Sequence, residues 1–174
     1  MHYAGISNHD IANGPGFRVT LYVSGCRNHC KGCFNPETWS FTYGEEFTLR
    51  TLLQLDAMLE DPNITGFSIL GGDPFEPENI EMVTAICEYV RMWFPTMPIW
   101  VWTGYDFIED GLIDMEIMKY IDVLIDGKFD ESLKDLRLEW RGSSNQRIID
   151  VPKSVKMRCA IRYGDRNVHQ ESLA

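Results

Sequence analysis

Four short β-prone segments, residues 17–23 (FRVTLYV), 66–70 (GFSIL), 99–102 (IWVW) and 123–125 (VLI), are separated by helix-like stretches. This alternation constrains the chain more than any other feature. Strands joined through helical crossovers pair in parallel, and the right-handed crossover returns each strand in the same direction. The loops GCRNHCKGC, GGDP, TGY and DGK each follow one of these segments directly. All four should therefore emerge at one carboxyl edge, where open α/β sheets and (β/α) barrels place their ligands.

The intervening stretches support this reading. Thr48 is a plausible N-cap for a helix carrying Leu49, Leu52, Leu53 and Leu59 at helical spacing, stopped at Asp61-Pro62. Pro77 can open a second helix, over residues 78–93, with Ile80, Val83, Ile86, Cys87 and Val90 on one face. A weaker helical pattern spans residues 112–120. Residues 147–151 (RIIDV) and 157–162 (MRCAIR) read as two strands, as an antiparallel pair. With 174 residues, 44% of them hydrophobic, and no repeat or linker, residues 1–174 are expected to form one domain.

Net charge is −10, and it is unevenly spread. Residues 1–127 hold 6 Lys and Arg against 19 Asp and Glu, residues 128–166 hold 10 against 6, and Glu171 adds one more negative charge. The acidic bulk opposes a nucleic-acid partner, since such binding rests on neutralising phosphates. The basic stretch, with Arg141, Arg147, Lys153, Lys156, Arg158 and Arg162, is a candidate local docking face, set against an ordinary solvated surface. No apolar run is long enough to span a membrane, and the opening MHYAGISNHD has neither a basic nor an apolar signal region. The reading is a cytoplasmic protein.

Five cysteines without a secretion signal argue against a disulfide framework. Cys26, Cys30 and Cys33 form a C-x3-C-x2-C pattern, and Gly25, Gly32, Asn28 and Asn35 favour an irregular loop. Thiolates converging from a loop suit zinc or an iron–sulfur cluster. Structural zinc wants four ligands, with His29 or Cys159 as the fourth; three thiolates on a four-iron cluster instead leave one iron open. Cys87 and Cys159 read as core residues.

The ordered motifs resemble a known family. C-x3-C-x2-C after the first long strand resembles the radical S-adenosyl-L-methionine (SAM) enzymes, and GGDP their Gly-Gly-Glu-Pro element. NGPGFR (residues 13–18) is similar to the Asp-Gly-Pro-Gly-x-Arg stretch of the glycyl-radical-enzyme activases. Within that group, GC-x3-C-x-GC-x-N, LGGDPFEPEN, WTGY, LIDGKF and RGSSNQRIIDV resemble the activating proteins of anaerobic ribonucleoside-triphosphate reductase, over residues 3–151.

The resemblance implies a partial (β/α) barrel of the radical SAM type with a mainly parallel sheet. It implies that Cys26, Cys30 and Cys33 hold a 4Fe–4S cluster whose open iron takes the amino and carboxylate groups of SAM. An electron then cleaves the sulfonium bond, and the resulting 5′-deoxyadenosyl radical takes a hydrogen from a glycine of the reductase. A low-potential donor such as a flavodoxin follows from the chemistry. By the family pattern Gly32 and Phe34 face the adenine, Gly71, Gly72 and Asp73 approach the SAM backbone, and Thr103 and Lys128 make further SAM contacts. Three positions depart from the wider pattern: Gly32 replaces an aromatic, Asp73 a glutamate and Asn13 an aspartate.

Alternatives stay open on sequence alone. A pyruvate formate-lyase-type activase or a deazaguanine-pathway enzyme would share the chemistry and differ in substrate, while a zinc-stabilised interaction module would share only the cysteines. The partner face is expected around residues 13–18 and the carboxyl edge, with Arg18 needed for activation and dispensable for uncoupled SAM cleavage.

Overall fold

The computed structural model describes residues 1–164, so Arg166 and Glu171 lie outside the described residues. It opens with β1 (His2–Asp10) and β2 (Arg18–Val23), then a two-residue β3 (Glu45–Glu46), α1 (Leu49–Leu59), β4 (Gly66–Gly71), α2 (Ile80–Trp93), β5 (Ile99–Trp102), β6 (Val123–Asp126), β7 (Arg147–Asp150) and α3 (Val151–Met157). The strands form one seven-stranded sheet in the order β3-β1-β2-β4-β5-β6-β7. Its centre, β2-β4-β5-β6, is parallel, and its flanks are antiparallel. Among the described residues no helix is long and apolar enough to cross a membrane.

Alternation along the central strands divides their side chains between two faces. Val19, Leu21 and Val23 of β2, Phe67 and Ile69 of β4, Ile99 and Val101 of β5 and Leu124 of β6 share the main core with Leu55 and Leu59 of α1 and with Val83, Ile86, Cys87 and Val90 of α2. The opposite face carries a smaller cluster, in which Trp100, Val123 and Ile125 pack with Trp102, Trp140 and Ile148. Arg18 and Ser68 meet on the same face, where the Arg18 guanidinium lies over the Trp100 ring.

Several expectations need correction. The sequence HYAGISNHD gave no strand signal, yet it forms β1 by pairing with β2, with irregularities between Tyr3 and Gly5 and between Ser7 and Asp10. Cross-strand pairing here overrides propensity. On α1, Leu49 and Leu53 are exposed and the buried stripe is Thr51, Leu55 and Leu59. Residues 112–120 form two 3-10 turns, Leu112–Asp114 and Glu116–Lys119, rather than a helix. The predicted strand over residues 157–162 is also wrong. Asp150 caps α3 by accepting from Lys153 N, Pro152 sits in the first turn, and the helix ends at Arg158 in the left-handed region. Only Arg162 makes a lone bridge, to Ile149, and Cys159 is exposed rather than core.

Candidate functional site

The parallel register brings the four loops to one edge, as the alternation of elements predicts. Val23 pairs with Gly71, and Trp102 with Ile125. Beyond the strands the loops continue to bond: Gly72 N donates to Val23 O at 2.7 Å, Asp73 N to Gly25 O at 2.8 Å and Thr103 N to Ile125 O at 2.9 Å.

The cysteine loop leaves β2 through Gly25, whose φ of +98° belongs to glycine, and a Cβ there would strike the Phe41 ring at 2.2 Å. Gly25 N and Cys26 N donate to Thr38 O and Trp39 O, docking the loop on the 3-10 turn Pro36–Trp39. Cys26 is buried, whereas Cys30 and Cys33 are partly exposed and linked by a turn in which Cys33 N donates to Cys30 O. Burial pushes the Cys26 thiol up, and the neighbouring Asn28 pulls the other way. Cys30 is also raised by burial, opposed by the charge of Lys128.

The segment between β4 and α2 clamps this loop through three polar side chains spaced by three residues, Asp73, Glu76 and Asn79. Asp73 accepts from Thr103 Oγ1 (2.8 Å), Gly104 N (2.8 Å), Phe75 N (3.0 Å) and Asn28 Nδ2 (3.0 Å). Burial pushes its pKa up to about 6 against these donors, so it is ionised at neutral pH. Glu76, fully buried, accepts from Arg27 N at 2.6 Å and pairs with the Arg27 guanidinium. Asn79 stands at the N-cap of α2, yet its amide donates to Ser24 O and Asp73 O. That use of Asn79 accounts for α2 starting at Ile80 rather than just after Pro77. From sequence, Glu76, Asn79 and Gly104 receive no part in the site and Asn28 only a loop-forming one; for Glu76 and Asn79, the three-residue spacing of polar groups between a strand and a helix was the available signal.

Gly71 makes its close approach to the end of β2, and Gly72 makes its own to the start of the cysteine loop. A Cβ on Gly71 would lie 2.6 Å from Val23 O, and one on Gly72 would lie 2.5 Å from Gly25 O. Both obstacles are backbone, so they cannot swing away. Gly72→Ala should therefore cost about 2 kcal/mol of stability by overpacking and displace the cysteine loop. A thermal midpoint equal to that of the parent protein would contradict this account.

Of the remaining candidates, Lys128 reaches an open cleft of about 720 Å³ between His29, Cys30 and Lys31 on one side and residues 128–132 with Asn145 on the other. That volume falls within the usual range for small-molecule sites. Gly32 (φ +71°) abuts Glu131, which also pairs with Lys31 at 3.2 Å. Thr103 is buried against Asp73, and Phe34 projects fully into solvent. Asp126, just ahead of Lys128, is buried and bonded to Phe107 N and Arg147.

The expected role of Arg18 does not survive. Its side chain is completely buried, and it begins β2, at the end of the strand opposite the cysteines. Residues 13–18 and the carboxyl edge are therefore not one surface. In the basic stretch, Arg147, Lys153 and Arg158 pair with Asp126, Asp150 and Asp114 of the same chain, which weakens the case for a docking face there.

The donor set fits an iron–sulfur cluster. Three thiols share one loop, and Cys30 opens onto a cleft.

Comparison with known proteins agrees. Residues 12–149 match the family model described as a 4Fe-4S single cluster domain. An anaerobic ribonucleoside-triphosphate reductase-activating protein of Enterobacteria phage T4 is 43% identical over 148 residues, covering 85% of this chain and 93% of its own. The protein of that name from Escherichia coli (strain K12) is 45% identical over 139 residues, covering 79% and 90%. The Haemophilus influenzae protein of that name is 43% identical over 148 residues, covering 84% and 96%. That family model covers most of the chain, so this is an iron–sulfur protein of the 4Fe–4S single cluster class. It belongs to the family of anaerobic ribonucleoside-triphosphate reductase-activating proteins.

Proposed function

We propose that this protein activates anaerobic ribonucleoside-triphosphate reductase by reductive cleavage of SAM, leaving a glycyl radical on the reductase. The observation that carries the reading is the convergence of three cysteines, the GGDP turn and Lys128 at one edge of a parallel sheet, beside a cleft of small-molecule size. Cys26, Cys30 and Cys33 would hold a 4Fe–4S cluster, which when reduced would supply the one electron needed to split SAM into methionine and a 5′-deoxyadenosyl radical, the species that would take a hydrogen atom from the target glycine.

The chain's own residues do the holding. Cys26, Cys30 and Cys33 would each ligate one iron, and the iron without a cysteine would be open to SAM. Lys128, on the cleft wall, places a cation where it can meet the SAM carboxylate. Asp73 has its oxygens occupied by protein donors, so its part is to tie the turn after β4 to the cysteine loop and the Thr103–Gly104 turn. Gly72 lets the turn touch the cysteine loop, and Gly71 lets it pass close to the end of β2. Phe34, fully exposed beside Cys33, is free to cover the adenine. In this reading the four parallel strands, with their helices on one face, are the open (β/α) barrel of the radical SAM enzymes, and a flavodoxin-like protein delivers the electron in the cytoplasm.

Anaerobic reconstitution with iron and sulfide should give about four irons and four sulfides per chain. The reduced protein should form methionine and 5′-deoxyadenosine, and mixing it with the reductase should produce a glycyl radical signal by electron paramagnetic resonance. SAM cleavage without a signal on the reductase would redirect the substrate assignment; no cleavage at all by a cluster-replete protein would sink the chemistry.

A further inference from the structure

We propose that Asn145, Gln146 and Arg147 are positioning residues for Lys128: together they clamp the loop after β6 so that the Lys128 ammonium meets the carboxylate of SAM in the cleft. The inference rests on the reading that SAM binds there with its carboxylate at Lys128, and it assigns what holds that cation in place.

β6 and β7 pair antiparallel from Val123 with Asp150 to Asp126 with Arg147, and there the ladder ends. Gly127 follows at φ +95°, a left-handed conformation that carries the chain out of the strand. The same register nevertheless continues for two more residues through side chains. Gln146 Nε2 donates to Gly127 O at 3.0 Å, and Asn145 Nδ2 donates to Lys128 O at 2.8 Å. Arg147 holds Asp126 itself: Nε donates to Asp126 Oδ1 at 3.0 Å, while Nη2 bonds to Asp126 Oδ2 and, at 2.7 Å, to Asp106 Oδ2. Residues 145–147 thereby grip residues 126–128 one against one.

Two of the three rungs are anchored further. Asp126 is fully buried and also accepts from Phe107 N at 2.9 Å, which ties the clamp to the loop after β5. Gln146 Oε1 accepts from Gly142 N at 2.9 Å, and Arg141 Nη1 donates to Gln146 O at 2.6 Å. Asn145, the last rung, lines the cleft beside Lys128. A lysine ammonium rides on a flexible four-carbon stem, so fixing the carbonyls at its base narrows where the charge can go. Among the described residues no carboxylate pairs with Lys128, whereas Lys31 on the other wall pairs with Glu131 at 3.2 Å. The clamp therefore presents a cation that the chain itself leaves unneutralised.

The test is SAM binding without turnover, by equilibrium dialysis against oxidised, reconstituted protein whose iron and sulfide have been counted. Lys128→Met should weaken binding by about tenfold or more, the loss of a hydrogen bond between charged groups. Asn145→Leu and Gln146→Met should each weaken it by about threefold to tenfold, the effect of one neutral hydrogen bond. Combining either with Lys128→Met should weaken it no further, because the clamp acts through Lys128. Losses that multiply in the double variants overturn the proposal, since residues 145–147 would then support the cleft as a whole. Single clamp variants that bind SAM like the parent overturn it too. Arg147→Lys, which keeps a cation between Asp106 and Asp126 without the fork, replaces a carboxamide variant that fails to fold and is judged by the same outcomes. Unchanged SAM binding in Lys128→Met overturns the placement of the carboxylate, and a cluster-replete parent that binds no SAM overturns the proposed function; both results are distinct from failure of the clamp.

Discussion

Replacing Arg18 with alanine is expected to lower the thermal midpoint by about 10 °C, the shift that about 4 kcal/mol produces in a chain of this size. The buried guanidinium donates Nε to Ser68 Oγ at 2.6 Å and Nη2 to Phe67 O and Pro98 O at 2.6 and 3.0 Å, with Nη1 at 3.3 Å from Pro15 O. It also lies over Trp100, 5.3 Å from the ring centroid. Burial lowers its pKa to about 10, so it remains a cation at neutral pH. Hydrogen bonds to charged groups contribute about 1.5–3 kcal/mol each, and buried acceptors left unpaired add their own penalty. Truncation also empties the space over Gly66, where a Cβ would lie 2.0 Å from Nη1. Arg18→Lys keeps the charge without the planar fork and should recover only part of the loss. Differential scanning calorimetry of the metal-free protein decides the matter; a change under about 2 °C would mean that the clamp contributes little. SAM cleavage and reductase activation should fall together in Arg18→Ala, in proportion to the folded fraction, because Arg18 is out of reach of a partner.

Cys30→Ser should do the reverse: leave the fold and remove the chemistry. Cys30 is partly exposed on the cleft, and the bond that closes its turn uses its carbonyl rather than its thiol. The loop around it is held by Gly25, Asn28 and Glu76, which the substitution leaves in place. The thermal midpoint of the metal-free protein should therefore move by less than about 3 °C, under 1–2 kcal/mol. Removing partners that only support a metal ligand typically costs 10–100-fold in affinity or activity. Losing a ligand itself should cut SAM cleavage by more than about 100-fold and leave iron well below four per chain. If instead the metal-free parent chain is itself unfolded and zinc folds it, with Cys30→Ser failing to fold on zinc addition, the cysteines hold a structural metal whose binding energy is folding energy, and the activase mechanism loses its footing.

The two experiments separate roles that one string of motifs runs together. Arg18 and Cys26 sit eight residues apart in sequence but at opposite ends of one strand, which runs about 3.3 Å per residue. A motif can show that both residues matter; it cannot show that one holds the sheet and the other holds the site.

What the sequence determined by itself was the direction of the central strands and the edge where the chemistry collects. Both follow from local rules: period-2 strands, helical crossovers of fixed hand and glycine-bearing loops directly after each strand. The three-cysteine loop was equally plain, because thiolates at that spacing are uncommon and chemically specific. What only the tertiary structure decided was the work of individual side chains. Asp73 faces protein donors because three loops crowd around it, Gly71 and Gly72 are small because a Cβ on either would lie within 2.6 Å of another backbone, and Arg18 is buried because Phe67 of β4 and Pro98, just ahead of β5, supply carbonyls to its fork. β1 and the exposed Leu49 and Leu53 belong to the same class, since pairing and burial depend on what the rest of the chain places alongside. Local pattern sets where a loop goes; long-range contact sets what each of its atoms touches.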